Sequence, residues 1–235
     1  MVERRSTGIA AIDRRLDGGF KAGSLVALVT PPAAQSHAIL QQIMTERPTV
    51  YITTLRSAAA ISNDLDELAT DEAPVSIEAV GEAVHGENQL MHELTGSQIH
   101  AAKTVERDPI LDQVFDVVQR IDGVCNVIID PVNPLERSES RRDYQNLLSK
   151  LAVRLLETGS IGILHCTLLE DPPDFRETTL TMADVVWELD IVSGRKKNLE
   201  IQTRIPKNRG GDAVLERITL LVRGSNVYTD DSRNI

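Results

Sequence analysis

Three short stretches hold residues whose types and order could do chemistry. They are Thr30-Pro31-Pro32-Ala33-Ala34-Gln35-Ser36-His37, Asp130 at the end of the run VIID, and Lys207-Asn208-Arg209-Gly210-Gly211. The first lies between a continuous apolar run and an amphipathic one, which is the layout of a phosphate-binding loop: buried strand, tight turn, helix. Such a loop is written G-x-x-x-x-G-K-[ST]. Its glycines let backbone N–H groups wrap the phosphates, its Lys neutralises their charge, and its Ser/Thr hydroxyl holds Mg²⁺. On this chain Thr30 stands at the first Gly, Gln35 at the second, Ser36 at the Lys and His37 at the Ser/Thr. Ala33 and Gln35 put side chains where a phosphate needs close backbone approach. Loss of the Lys removes a charge-assisted contact worth about 1.5–3 kcal/mol. The layout survives without its chemistry, which argues against ordinary ATP hydrolysis.

Other reactive residues point to blander roles. Cys125 and Cys166 fall in or beside apolar runs and read as reduced core thiols. A nucleophile built from Cys166 and His165 is disfavoured, because neighbours on a strand point to opposite faces. His85, His92 and His100 are spaced by seven and eight residues. Metal sites favour closer spacing with acidic or Cys partners, so exposed histidines are expected and no metal site is assigned. The cations Arg195, Lys196, Lys197, Arg204, Lys207 and Arg209 could meet nucleic acid, but no aromatic accompanies them for base stacking. The net charge of −10 also opposes nucleic acid and anionic membrane. No apolar run is long enough to span a bilayer and no signal-peptide core is visible, so a cytoplasmic protein without membrane association is expected.

These residues need a scaffold, and the hydrophobic pattern supplies one. With 235 residues the chain can build one sizeable core, so a single domain over 1–235 is expected. Residues 81–107 read as an irregular insertion with a short helix near Asn88 to Leu94, and 230–235 as a flexible tail. Ile9, Ile12 and Leu16 predict a helix ended by Gly18-Gly19. Leu25 to Val29 is apolar throughout and predicts a strand buried on both faces. A helix with Ile39, Leu40, Ile43 and Met44 on one stripe follows the turn. Strands are expected at Thr49 to Thr53 and Val75 to Ala79, with a helix over Ala58 to Ala69 between them. Asp108-Pro109 marks a helix start. Cys125 to Ile129 predicts a strand ending on Asp130. A long helix with Leu147, Leu148, Leu151, Leu155 and Leu156 then stops at Gly159. Ile161 to Cys166 predicts another buried strand. Asp184 to Val192, Asn198 to Ile205 and Val214 to Val222 read as antiparallel strands joined by Gly-containing turns. The sum is an α/β fold: a mostly parallel sheet between helices, with a C-terminal antiparallel β-extension.

Thr7-Gly8-Ile9, Ile12-Asp13, Leu16, Gly18-Gly19, the strand–loop–helix, Val127-Ile128-Ile129-Asp130 and Lys207-x-Arg209-Gly210-Gly211 occur in that order. In order and spacing the chain resembles the RecA superfamily of P-loop ATPases. It is most similar to the KaiC/RadA-like archaeal branch, over Thr7 to about Tyr228. The resemblance implies a RecA-like fold. It makes Asp130 the Walker B carboxylate that holds Mg²⁺ through water, and Lys207 and Arg209 a loop that reaches the γ-phosphate of a neighbouring subunit. Pro31 and Pro32 fit the family's loop. Where the family ends its second strand on water-activating acidic residues, this chain has Leu55 and Arg56.

Phosphoryl transfer is catalysed mainly by positioning and charge stabilisation, and two parts of that apparatus are substituted here. The expected function is a non-catalytic, regulatory or signalling RecA-like protein that binds other proteins, with no resident cofactor. A paralogous active ATPase subunit is one candidate partner, receiving Lys207 and Arg209 in trans. Against that stands the simpler reading of a solvated hairpin tip. The alternative is a weak ATPase or nucleotide sensor of the same family, binding ATP and Mg²⁺ through Ser36, His37 and Asp130. If phosphate binding is lost, Asp130 is left as an N-cap or turn former. Relatives assemble as rings or filaments around nucleotide; with the site altered, a monomer or dimer is equally compatible.

Overall fold

Six consecutive apolar or small residues, Leu25–Thr30, form a strand buried along its whole length, and the molecule is built outward from it. The computed structural model describes residues 3–65, 73–81, 108–192, 199–223 and 226–229. In chain order the elements are β1 (Arg4–Arg5), α1 (Ala10–Arg15), β2 (Phe20–Lys21), β3 (Leu25–Thr30), α2 (Ser36–Met44), β4 (Thr49–Thr53), α3 (Ala58–Leu65) and β5 (Val75–Ala79). There follow α4 (Pro109–Arg120), β6 (Asn126–Asp130), α5 (Asn133–Glu136), α6 (Arg141–Thr158), β7 (Ile161–Thr167) and α7 (Arg176–Met182). The chain ends in β8 (Val185–Val192), β9 (Leu199–Asn208), β10 (Val214–Arg223) and β11 (Asn226–Thr229).

Nine strands make one sheet in the order β11-β10-β9-β8-β3-β7-β6-β4-β5. From β8 through β5 neighbours run parallel, with β3 between β7 and β8. From β8 to β11 they run antiparallel. This is the expected mostly parallel sheet with a C-terminal antiparallel extension. Strands β1 and β2 pair separately.

Each face of the sheet buries its own cluster. On one, α1, α2 and α3 lay Ile9, Ile12, Leu16, Ile39, Leu40, Ile43, Ile61 and Leu65 against Val26, Leu28, Ile128 and Ile163. On the other, α4 to α7 lay Leu111, Val114, Val118, Leu135, Leu147, Leu148, Leu151 and Leu155 against Ala27, Val29, Val127, Ile129 and Leu164. Alternate residues of β3, β6 and β7 thus go to opposite layers, as strand geometry demands, and both layers are apolar. Cys166 belongs to the second cluster and His165 lies on the first face, so the two do not pair; both cysteines are buried free thiols.

The helix boundaries follow local signals. The Asp108 side chain accepts from the Ile110 N–H at the start of α4, with Pro109 in the first turn. Ser140 caps α6 through the Asp143 N–H, and Gly159 ends it in the left-handed conformation at φ 70°. Gly19 is more constrained still. At φ 108° a Cβ there would meet the Arg5 carbonyl oxygen at 2.0 Å, so only Gly fits the β1–β2 turn.

Some elements depart from expectation. Two helices, α5 and α7, and the strands β1, β2 and β11 stand where none is predicted, and β6 begins at Asn126 rather than Cys125. Strand β9 runs on to Asn208, so Lys207 lies in a strand and not at a hairpin tip. Helix α3 is described as far as Leu65. The insertion from 82 to 107, the helix near Asn88 to Leu94, the three histidines, Arg195, Lys196, Lys197 and the tail 230–235 lie outside the described residues.

Candidate functional site

The site begins where β3 ends. Thr30 is buried, and the chain turns at once, with the Ala34 N–H donating to the Pro31 carbonyl at 3.0 Å. Ala34 is buried while Pro32, Ala33, Gln35 and His37 are exposed, and Ser36 is half-buried. Gln35 takes the left-handed conformation at φ 47°, ψ 41°, and α2 starts from it. A residue with a side chain in that region carries about 1–2 kcal/mol of steric cost that Gly avoids. The backbone is thus left-handed at the position where a phosphate-binding loop carries its second Gly, with a glutamine side chain at the bend.

Beneath the turn, four polar side chains join hands across four strands. Thr30 Oγ1 lies 2.8 Å from His165 Nε2, and His165 Nδ1 lies 2.5 Å from Asp130 Oδ1. The Tyr51 hydroxyl donates to Asp130 Oδ2. The sheet explains why these four meet. Leu28 pairs with His165 in register, Ile128 with Ile163, and Tyr51 with Ile128. Counting in twos from those pairs places Thr30, His165, Asp130 and Tyr51 on the same face, near the C-terminal ends of β3, β7, β6 and β4.

An ionised Asp130 can only accept, so His165 donates from Nδ1. Its Nε2 shares the other hydrogen bond with the Thr30 hydroxyl, in a direction set by the state of the ring. Burial works against the Asp130 charge, but the hydrogen bond and charge of His165 outweigh it. With the Tyr51 hydroxyl and Arg56 nearby, they hold the carboxyl below its ordinary range. Burial, and next the Asp130 charge, push the Tyr51 phenol far above its ordinary range, which keeps it a donor. Asp130 is thus a half-buried acceptor bridging two strands. It does not cap a helix, since Val132 stands at the N-cap of α5, and this corrects the N-cap reading.

The end of β4 carries no acidic side chain. The Thr53 hydroxyl donates to the Arg56 carbonyl, Leu55 is 52% exposed, and Arg56 pairs with Asp64 at 2.7 Å. Arg56 is close enough to the array to interact with it electrostatically, so a guanidinium paired with Asp64 stands where the resemblance would put an acidic residue.

Lys207 and Arg209 sit elsewhere. Lys207 Nζ donates to the carbonyls of Leu180 and Thr181, at 2.7 and 2.9 Å. Arg209 donates to the Thr181 carbonyl at 2.9 Å and pairs with Asp184 at 3.3 Å. Cations at the C-terminal carbonyls of α7 are where the helix dipole favours them. Burial and then the neighbouring Arg209 lower the Lys207 pKa. Asp184 also accepts from the Leu25 N–H, at the opposite end of β3 from the loop. Five residues of strand, about 17 Å, separate that end from Thr30. Within one chain the two cations and the turn form separate places.

Of the four, the sequence names Thr30 and Asp130 as candidates, names His165 only as a disfavoured partner of Cys166, and gives no sign of Tyr51. Each of the last two is a lone polar residue in an apolar run, and only the pairing order of non-sequential strands brings them to Asp130.

Comparison with solved structures gives a KaiC-like protein from the hyperthermophilic archaeon Pyrococcus horikoshii OT3, at TM-score 0.66 and 19% identity. The match covers 97% of this chain and 99% of that one, so the fold is RecA-like over essentially its whole length. No curated protein matches the sequence. The model of a family of unknown function, DUF7125, matches residues 4–235, and the chain belongs to that family.

Proposed function

We propose that the chain is a non-catalytic member of the KaiC-like RecA fold that acts in regulation or signalling by binding another protein. The observation that carries this reading is the engagement of Asp130. Both of its carboxylate oxygens accept hydrogen bonds from side chains of the chain itself, His165 and Tyr51. A carboxylate committed in this way is poorly placed to orient the water shell of Mg²⁺. Ser36 in place of the loop Lys and Arg56 in place of a base act in the same direction. Calorimetry of the purified chain with ATP and Mg²⁺ tests it. No heat at millimolar nucleotide and no phosphate release are expected, whereas saturable binding with turnover would sink the reading.

One observation favours a second reading, a nucleotide sensor with weak affinity. The left-handed turn at Gln35 is kept, and the Gln35 side chain makes no capping hydrogen bond to the first N–H groups of α2. Binding without turnover, weakened several-fold in His37→Ala, would select the sensor instead. The partner in the first reading is in one version an active paralogous subunit. Lys207 and Arg209 would then have to leave the carbonyls of α7 to reach its phosphate. Equal stimulation of such a subunit's ATPase by the wild-type chain and by Arg209→Ala would remove that version.

A further inference from the structure

The crevice of an open α/β sheet forms where two adjacent strands send their connections outward, in opposite directions and on opposite faces. In this sheet that place lies between β4 and β6. Strand β4 continues through α3, on one face, outward to β5. Strand β6 continues through α5 and α6, on the other face, to β7. The Thr30 array reaches β6 and β4 through Asp130 and Tyr51, but none of its four side chains lines this crevice, which is a separate feature. A cavity of about 480 Å³ occupies it, within the size range of small-molecule sites.

Its walls are Leu55, Pro109, Ile110, Pro134 and Leu169, with Asn133 and Arg137 as polar groups. Leu55 and Leu169 are 52% and 43% exposed and, with Ile110 and the two prolines, give the cleft an apolar wall open to solvent. The Asn133 amide is already satisfied by the backbone of Thr167. Arg137 is not: its hydrogen bond is a long one, 3.4 Å, to the Asp171 carbonyl, and among the described residues no carboxylate pairs with it. The other charged group of the lining, Asp108, turns its carboxylate to the Ile110 N–H and the start of α4. An apolar cleft with one guanidinium unpaired among the described residues suits an apolar body bearing one anionic group, because guanidinium and carboxylate match as paired donors and acceptors.

We propose that the crevice between β4 and β6 binds a small amphipathic carboxylate, its tail against Leu55, Ile110 and Leu169 and its headgroup on Arg137. This does not depend on whether the chain handles nucleotide, and the two tests fail separately. The purified full-length chain is titrated with sodium octanoate by calorimetry and ligand-observed NMR, with octan-1-ol as the same tail without charge. Saturable one-site binding is expected, tighter than about 1 mM for a ligand of this size. Octanol and the Arg137→Ala variant should each bind about tenfold more weakly, and Arg137→Lys should recover part of that loss. Leu169→Asp, on an exposed loop and checked for an unchanged melting midpoint, should abolish binding. Absence of saturation by 10-fold above that limit, about 10 mM, would overturn the site. So would octanol binding as well as octanoate, or an affinity unchanged by either Arg137→Ala or Leu169→Asp.

Discussion

His165 supports two neighbours at once, and that makes it the most informative single residue to change. Replacing it by Ala leaves the buried Thr30 hydroxyl and one oxygen of Asp130 without their partner. An orphaned buried polar group costs about 1–3 kcal/mol. The expectation is a loss of about 2–4 kcal/mol in urea unfolding, at the upper end of one or two orphaned groups. A loss under about 0.5 kcal/mol, as at an ordinary surface site, would mean that the array holds nothing together. Asp130 gives a second measurement, with a definite sign. Its folded-state pKa lies below the unfolded value of about 3.9, so the folded state favours the charged form. The stability this supplies is fully present above the unfolded value and is lost as pH falls through the folded one. Unfolding free energies measured from pH 6 down to pH 2.5 should therefore converge for wild type and Asp130→Asn at the acid end. A gap that widened with acid would reverse the assignment.

At the scale of elements, the least legible part of the fold is held by its most buried charge pair. Glu136, fully buried at the end of α5, meets Arg176 of α7 at 2.8 Å and accepts from the Thr179 hydroxyl, which in turn bonds the Tyr144 hydroxyl of α6. Removing one partner of such a pair leaves the other charged and unpaired in the interior, at about 3–5 kcal/mol. Glu136→Ala should lose that much, and the double variant Glu136→Leu/Arg176→Met should recover most of it. If the double variant unfolds as readily as the single one, packing and not charge is what the pair supplies. Sequence pattern missed α5 and α7 because they span four and seven residues, too short for a helical stripe to declare itself. The parallel strands were legible because burial on both faces writes a continuous apolar run, as in Leu25–Thr30. Helices α4 and α6 were legible from their ends, Asp108-Pro109 and Gly159. The array was half legible: a motif points to Thr30 and Asp130, but nothing near Tyr51 or His165 reports that β4 and β7 will both lie beside β6.

For the molecule as a whole, the balance of charge decides what can approach it. The net charge of −10 surrounds a sheet whose described extension carries Arg204, Lys207 and Arg209. Each of these is already engaged: Arg204 with Glu188 at 2.6 Å, Arg209 with Asp184, and Lys207 with backbone carbonyls of α7. Binding to a nucleic-acid backbone draws its affinity from cations that exchange small counterions for phosphates. Cations that must first give up a carboxylate or a helix terminus gain correspondingly less from that exchange. Fluorescence anisotropy with a labelled single-stranded oligonucleotide should therefore show no binding at micromolar protein in physiological salt. At low salt a weak signal is expected, falling on a shallow slope because the described cations of the cluster are already engaged. A submicromolar affinity with a steep salt slope would show that these groups leave their own chain for phosphate, and it would count against the protein-binding role proposed above.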